Sequence, residues 1–305
     1  MGGAAHVFRM VHLERIAYVR LGASDLETSA AFARDVLGLQ PVERDARTAH
    51  FRSDDRHHTL TYVAGDPADH AVGFELRYGD DLARVAAQVE RAGHAVREGA
   101  PCECEERHVE RFVAFDDPTG NHIELAVRPH ESPRRYFASR DAGITGFSHI
   151  GLRTTGARRD EAFWTQVLDA RVSDWIGDAP LLRVDPVHHS LALFPSAFAG
   201  VQHVNHQVAS IDDVMRAYYF LRERGIRIRF GPGRHATSGA VFCYFEGPDG
   251  MTYEYSSGVS MIHDEAGHRP RQFPFVPESF CVWGAKPDIP EFRADAIALE
   301  LVEVG

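Results

Sequence analysis

The sequence predicts an α+β fold built from two tandem copies of one module. The segments 57–61 (HHTLT) and 188–192 (HHSLA) are similar and lie 131 positions apart. Each half also shows the same order of strand and helix patterns, βαβββ, twice over. A repeat of this length indicates a duplicated unit, so positions where the copies differ in chemistry are candidates for function.

The duplication extends over both halves with little change in spacing. Further matches at 130 or 131 positions are Phe32, Val36, Leu37, Pro118, Gly120 and Glu124 with Phe163, Val167, Leu168, Pro248, Gly250 and Glu254. A chain of 305 residues has room for two modules of common domain size. We expect modules at 1–135 and 140–262, joined by a Pro- and Arg-rich linker at 128–140, and a tail at 263–305 packed on the second module.

The elements of the second half illustrate the pattern. An alternating strand at 147–152 precedes a helix, which is indicated by Ala162, Phe163, Gln166, Val167 and Leu168. A second alternating strand at 201–208 runs into Ser210, which fits a helix N-cap with Asp213 three residues later. One apolar helical face follows, formed by Val214, Ala217, Tyr218 and Leu221.

The end of this half reads as strands and turns. Gly225 ends the predicted helix, and 231–233 (GPG) predicts a loop. No helix pattern follows this loop, so it does not indicate a phosphate-binding site. A strand at 240–245, a tight turn at 247–250 and a last strand at 251–255 complete the module.

The composition favours a small-molecule protein. The formal charge is −11 and no block of Lys or Arg is present, so we expect neither a nucleic-acid nor a membrane partner. No apolar run approaches the roughly 20 residues of a membrane span, and a cytoplasmic location is expected. The four cysteines are expected to be reduced and not catalytic.

The two copies differ at three positions that carry metal-ligand types. The second copy has His149, His203 and Glu254 where the first has Tyr18, Ala71 and Glu124. Two histidines and one carboxylate form the facial triad of non-haem iron sites, which leaves coordination positions open for substrate and oxygen. The first copy keeps only the carboxylate, so we expect the first module to be structural and metal-free.

The choice of the second histidine is open on spacing alone. His203 and His206 are three residues apart, so on a strand they face opposite sides and cannot both bind one metal ion. A strand histidine taken alone is more often a core residue than a ligand.

The motifs of the second half resemble a known family. They are Ser148 to Leu152 (SHIGL), His188 to Leu193 (HHSLAL), Gln202 to His206 (QHVNH), Gly231 to His235 (GPGRH), and Tyr244 with Tyr253 and Glu254. In this order they resemble the catalytic module of the type I extradiol ring-cleaving dioxygenases of the vicinal oxygen chelate superfamily. The resemblance implies a curved sheet around a central cup in each module, and Fe(II), less often Mn(II), bound by His149, His203 and Glu254.

The resemblance also implies the catalytic residues. His189 matches the acid/base histidine, and the near-neutral pKa of histidine suits that role. The alternative is a structural His188–His189 pair, since the first copy keeps His57 and His58. His235 and Tyr244 match the pair that hydrogen-bonds substrate and intermediates.

Two further positions bear on the substrate. Members acting on carboxylated catechols commonly carry arginine before the Gly-Pro-Gly segment, where this chain has Phe230. Arg229 would face the other side of a strand. Phe230 therefore predicts an apolar wall, and Asn205, on the same face as His203, is a second predicted substrate contact.

The resulting expectation is an extradiol dioxygenase that acts on a small aromatic diol with O₂ and forms a homo-oligomer. Two other functions stay open. Glyoxalase-like lyases and thiol transferases share the scaffold, and a metal-free binding protein could hold a small ligand in the cup.

Overall fold

The computed structural model describes residues 12–293, which form two sheets of similar topology. The first module contains β1 Leu13–Ala23, α1 Leu26–Phe32, β2 Gln40–Arg44, β3 Thr48–Arg52, β4 Leu60–Ala64, β5 His70–Leu76, α2 Leu82–Arg91, β6 Arg97–Glu98, α3 Pro101–Arg107, β7 Arg111–Asp116 and β8 His122–Val127. A π-helical turn, Ala33–Leu37, continues α1, and a 3₁₀ turn, Gly79–Asp81, precedes α2.

The second module repeats this order without a counterpart of α3 among its described residues. It contains β9 Ile144–Thr154, α4 Ala157–Gln166, β10 Arg171–Ile176, β11 Ala179–Arg183, β12 Leu191–Pro195, β13 Val201–Val208, α5 Ile211–Glu223, β14 Ile228–Arg234, β15 Val241–Glu246 and β16 Thr252–Ser257. A 3₁₀ turn, Pro248–Gly250, joins the last two strands. The predicted α+β class with paired βαβββ units is confirmed.

Each sheet joins its two βαβββ units at a central antiparallel pair. The strand order is β2-β3-β4-β1-β5-β8-β7-β6 in the first sheet. In the second it is β14-β15-β16-β13-β9-β12-β11-β10-β17, where β17 is Arg271–Phe273. β1 pairs antiparallel with β5 and β9 with β13, whereas β1 pairs parallel with β4 and β9 with β12. Strands from both units therefore lie side by side at the centre of each sheet.

The strands at the centre of the second sheet are largely buried. Seven of the eight residues of β13 are buried, polar ones included. Polar side chains on such strands need partners or a function. The concentration of buried histidine, asparagine and glutamate in β9, β13 and β16 marks this part of the sheet as the candidate site.

A continuous hydrophobic core connects the two modules. The Phe74 ring lies 5.3 Å from the Trp164 ring, and the Phe32 ring lies 5.5 Å from the Tyr253 ring. The hydroxyls of Tyr62 and Tyr253 are 2.5 Å apart in the same region. The modules are therefore packed against each other through large apolar side chains.

The helix limits predicted around α5 are confirmed. The Ser210 side chain caps the helix by accepting from the Asp213 backbone N–H. Gly225 follows the helix with φ +67°, a left-handed conformation that favours glycine.

The predicted loop at 231–233 is wrong. These residues belong to β14, which is an edge strand with register shifts against β15 on both sides of Phe230. The Gly231–Pro232 peptide bond is cis. An edge strand tolerates proline because its outer N–H groups need no ladder partner, so the turn-like composition did not exclude a strand.

The chain after 262 returns to the second module. It forms β17 Arg271–Phe273, α6 Pro277–Phe280 and a 3₁₀ turn Pro290–Phe292, and β17 pairs parallel with β10. Phe280 and Phe292 pack into an apolar cluster with Phe230 and Tyr244. Among residues 12–293, no helix combines the length and apolar character needed to cross a bilayer.

Candidate metal centre and active site

Three neighbouring strands bring His149, His203 and Glu254 together. His149 lies on β9, His203 on β13 and Glu254 on β16, and these strands are adjacent in the sheet. All three side chains are buried. Residues that are 105 positions apart in the chain therefore meet at one point of the curved sheet.

The distances between the three side chains fit a metal site. His149 Nε2 lies 3.0 Å from His203 Nε2 and 3.0 Å from Glu254 Oε2, and His203 Nε2 lies 3.5 Å from Glu254 Oε2. With metal–ligand bonds of about 2.1 Å, adjacent ligand atoms of an octahedron are about 3.0 Å apart. The donor set and its spacing match one face of that octahedron.

The protonation states also suit metal binding. Burial raises the pKa of Glu254, but hydrogen bonds from His149 and His235 outweigh it, so the pKa lies well below its ordinary value. Burial lowers the pKa of His203 to about 3. At neutral pH these residues are a carboxylate and a neutral imidazole, which are the forms that ligate metal ions.

Two neighbours hold the His203 ring. Its Nδ1–H donates to the amide oxygen of Gln202, which leaves the Nε2 lone pair free for a metal ion. Gly151 lies against the ring, since a Cβ at that position would stand 2.4 Å from His203 Nδ1. The sequence did not predict the Gln202 contact, because consecutive strand residues are expected to face opposite sides. It did not predict the Gly151 contact because that residue lies on the neighbouring strand.

His189 lies beside the three ligands. Its ring centroid is 4.2 Å from that of His149. Burial, with repulsion from His149 and His188, lowers the pKa of His189 well below its ordinary value, so the ring is neutral at pH 7 and can accept a proton. His188 Nε2 lies 2.9 Å from Asp174 Oδ2, and its Nδ1 lies 3.1 Å from His189 Nδ1.

His235 and Tyr244 lie on the other side of Glu254. The Nδ1–H of His235 donates to the carbonyl of Phe280, which fixes the ring. His235 Nε2 is 3.2 Å from the Tyr244 hydroxyl and 3.4 Å from Glu254 Oε1. Burial raises the pKa of Tyr244 well above its ordinary value, so the hydroxyl keeps its proton and can donate it in a hydrogen bond.

The two predicted substrate contacts occupy different surroundings. The buried Phe230 ring lies 5.7 Å from the Tyr244 ring and 6.1 Å from the Phe292 ring, within the apolar cluster. Arg229 bonds to Glu246 and to the Asp288 carbonyl, away from that cluster. Asn205 is fully buried and donates to the Ser256 hydroxyl at 2.8 Å.

His206 lies apart from the three ligands. It is fully buried, its ring is 6.1 Å from the Phe147 ring, and neither ring nitrogen has a partner among residues 12–293. The structure therefore brings His203, and not His206, into the cluster with His149 and Glu254.

The corresponding place in the first module is filled by protein groups. Arg107 Nε donates to both oxygens of Glu124 at 2.8 Å, and the Tyr18 hydroxyl donates to one of them at 2.8 Å. A guanidinium thus takes the position where a metal ion would stand. Arg107 was not foreseen, because it comes from α3, which the repeat pattern does not contain.

Comparison with known proteins agrees with this architecture. The family model "Glyoxalase/Bleomycin resistance protein/Dioxygenase superfamily" matches residues 15–125 and 146–255. An iron-dependent extradiol dioxygenase of Rhodococcus jostii is 25% identical over 83% of this chain and 92% of its own. A 3-methylcatechol 2,3-dioxygenase of Pseudomonas putida is 28% identical over 82% of this chain and 91% of its own.

A solved structure gives the same picture at the level of the fold. The Mn(II)-bound glyoxalase from Novosphingobium aromaticivorans is 29% identical, with a TM-score of 0.82 over 93% of this chain and 94% of its own. The resemblance inferred from the sequence motifs is confirmed. Because the family model matches both modules, the chain belongs to the Glyoxalase/Bleomycin resistance protein/Dioxygenase superfamily.

Proposed function

We propose that this protein is an Fe(II)-dependent extradiol dioxygenase that cleaves a catechol-type ring next to its two hydroxyls and incorporates both atoms of O₂. The observation that carries the proposal is the buried cluster of His149, His203 and Glu254, with ligand atoms 3.0 to 3.5 Å apart. The named functions of the Rhodococcus and Pseudomonas relatives support it.

The three ligands would hold Fe(II), with Mn(II) as the alternative. Two imidazoles and a carboxylate suit either ion. When bound, the ion supplies redox chemistry towards O₂ and, as a Lewis acid, lowers the pKa of coordinated hydroxyl groups. The Glu124–Arg107 ion pair leaves the matching position of the first module without this chemistry.

The residues around the ligands are placed for proton transfer and orientation. His189 is neutral and can take a proton from a substrate hydroxyl and return it to the product. Tyr244 keeps its proton and donates a hydrogen bond to a substrate oxygen, and His235 is held beside it by the Phe280 carbonyl. These groups would act on substrate oxygens that the bound metal ion holds in a fixed position.

The apolar cluster points to a neutral substrate. Phe230, Phe292 and Phe194 lie around the Tyr244 and His203 rings, and Arg229 is engaged elsewhere. A carboxylated catechol would place its charge against these rings, and Arg229 is not free to neutralise it. We therefore propose an alkyl- or aryl-substituted catechol.

A panel of catechols tests the function. The protein is loaded with Fe(II) anaerobically, mixed with air-saturated buffer, and followed by O₂ uptake and the yellow colour of the ring-fission product. We expect kcat/KM for 3-alkyl or 3-aryl catechols to exceed that for carboxylated ones by at least about tenfold. Absence of O₂ uptake with every catechol, in protein that holds one iron, would contradict the proposal.

The glyoxalase similarity gives a second candidate. The Novosphingobium structure is 29% identical, so a lyase or thiol transferase that consumes no O₂ is the competing function. Turnover of thiol adducts without O₂ uptake would identify it, and tight ligand binding by metal-free protein would identify a binding protein. O₂ uptake separates the dioxygenase from the other two, and turnover of thiol adducts separates those two from each other.

We also propose a cytoplasmic homo-oligomer. Val282 and Trp283 expose more than half of their side chains and could be covered by a second subunit. Three of the four free cysteines are buried and unpaired, as suits a reducing compartment. Light scattering after size exclusion measures the subunit number.

A further inference from the structure

A second cluster of metal-ligand side chains lies in the first module. Glu43 is on β2, His57 precedes β4, and His108 follows α3. One ligand atom of each lies within 4.8 Å of the others. His108 Nε2 is 2.5 Å from Glu43 Oε1, and the His57 and His108 rings stack with centroids 3.6 Å apart.

The cluster is not the counterpart of the metal centre in the second module. That counterpart is Glu124, which Arg107 and Tyr18 already satisfy. Glu43 lies on β2, an edge strand of the first sheet, and His108 directly follows α3. The contact between Glu43 and His108 therefore joins this edge strand to the end of α3.

The duplicated module provides an internal comparison. Glu43 and His57 correspond to Asp174 and His188, both 131 positions later. In the second module His188 Nε2 lies 2.9 Å from the Asp174 carboxylate, and Arg271 of β17 donates to that carboxylate at 2.6 Å. A carboxylate close to an imidazole at these two positions is thus common to both modules, although only the second module has the direct hydrogen bond.

The third partner differs between the modules. In the second module it is the Arg271 guanidinium, which also donates to the Thr237 carbonyl and has no lone pair for a metal ion. In the first module it is the imidazole of His108, which can ligate. Because His108 takes the place that Arg271 has in the second module, the first module has three possible metal ligands where the second has an ion pair.

Backbone hydrogen bonds link the segments that carry the two imidazoles. The His57 N–H donates to the His130 carbonyl, and the His130 N–H donates to the His108 carbonyl. His108 has φ +49° and ψ +50°, a left-handed conformation that is uncommon for a residue with a side chain. This conformation directs the ring back across His57.

We propose that Glu43, His57 and His108 form a second metal site, which binds a divalent transition-metal ion of the Zn²⁺ type. Two imidazoles, a carboxylate and a water molecule are a common tetrahedral set for Zn²⁺, with ligand atoms about 3.3 Å apart. Glu43 is 49% exposed and His108 22% exposed, so side-chain rotation can close the cluster and solvent can reach the fourth position.

The ligand types also set the selectivity. Imidazole donors disfavour Ca²⁺ and Mg²⁺, which prefer oxygen. The site would link edge strand β2 to the end of α3 and stabilise the first module. This proposal departs from the expectation that the first module holds no metal.

Metal loading of the full-length protein tests the proposal. Protein loaded with Fe(II) is incubated anaerobically with Zn²⁺, desalted, and measured for both metals and for Tm. We expect one Zn²⁺ per chain beside the iron and a rise in Tm. Glu254→Gln should lose the iron and keep the Zn²⁺.

Variants of the cluster should show the opposite loss. His108→Asn keeps a residue that tolerates the left-handed conformation, and Glu43→Gln changes an exposed carboxylate. Both should keep iron and dioxygenase activity and weaken Zn²⁺ binding by on the order of 100-fold. His122→Ala is the matched control. His122 also lies beside a carboxylate, at 3.0 Å from Asp116, but it is not part of the three-ligand cluster. The His122→Ala variant should bind Zn²⁺ as the wild type does.

The outcomes that overturn the proposal are specific. Zn²⁺ that disappears with Glu254→Gln lies in the catalytic centre, and Zn²⁺ that survives Glu43→Gln unchanged lies elsewhere. If His108→Asn also loses iron, its fold is disturbed, and Glu43→Gln alone decides. None of these results depends on which substrate the enzyme uses.

Discussion

Replacing His206 by leucine should make the protein less sensitive to acid while leaving its metal in place. His206 is fully buried, and neither of its ring nitrogens has a partner among the described residues. Burial lowers its pKa from 6.5 to about 4. The folded protein therefore holds this ring neutral over a pH range in which the unfolded chain protonates it.

The size of the effect follows from the two pKa values. Between pH 6.5 and about 4 the unfolded chain binds the extra proton, so the free energy of unfolding falls as the pH falls through this window. At about 1.36 kcal/mol per pH unit, the full loss is about 3 kcal/mol, of which about 2 kcal/mol occurs by pH 5. At pH 7.5 the variant should be as stable as the wild type or more so, because an unpaired buried imidazole is removed.

The assay is urea unfolding of both proteins between pH 7.5 and 5, after chelation so that metal loss does not contribute. The decrease in unfolding free energy should be smaller in His206→Leu by about 2 kcal/mol. His203→Leu is the matched comparison on the same strand: it should lose iron and activity, whereas His206→Leu should keep both. Equal pH slopes in wild type and His206→Leu, or loss of iron from His206→Leu, would refute this reasoning.

The remaining predictions concern the candidate active site. Glu254→Gln should abolish iron binding and activity. Glu124→Gln should leave both intact and only reduce stability, because it weakens the pairing with Arg107. A folded but inactive Glu124→Gln enzyme would show that the first module takes part in the chemistry. His189→Phe should keep its iron while kcat falls about 10²-fold or more, and iron loss would instead show that His189 is a ligand. Gly151→Ala should displace the His203 ring and weaken iron binding at unchanged global stability, as measured by iron retention against a chelator; normal retention would show that the ring has room to move.

The internal repeat made much of the architecture predictable. Because both copies follow the same apolar periods, a strand or helix that is ambiguous in one half is supported by the other. The comparison also singled out His149 and His203, where the first copy has Tyr18 and Ala71. The period of two along β13 showed that His203 and His206 face opposite sides, although it could not decide which side holds the metal ion.

Other features depended on groups that the local sequence does not connect. Gly231 to Gly233 have the composition of a loop and lie in an edge strand, because the position of β14 in the sheet removes the cost of proline. Gln202 reaches the His203 ring although it is the adjacent strand residue. Arg107 on Glu124 and Arg271 on Asp174 come from an inserted helix and a returning tail.

By itself, then, the sequence determined the duplicated βαβββ modules and the candidate ligands of the metal centre, because periodicity and residue type are local properties that each copy displays. Only the tertiary structure decided which groups face each carboxylate: a guanidinium at Glu124, a guanidinium and an imidazole at Asp174, and imidazoles at Glu254 and Glu43. The physical reason is that a carboxylate acts as an ion-pair partner or a metal ligand according to the groups within about 4 Å, and curvature of the sheet brings these groups from distant parts of the chain.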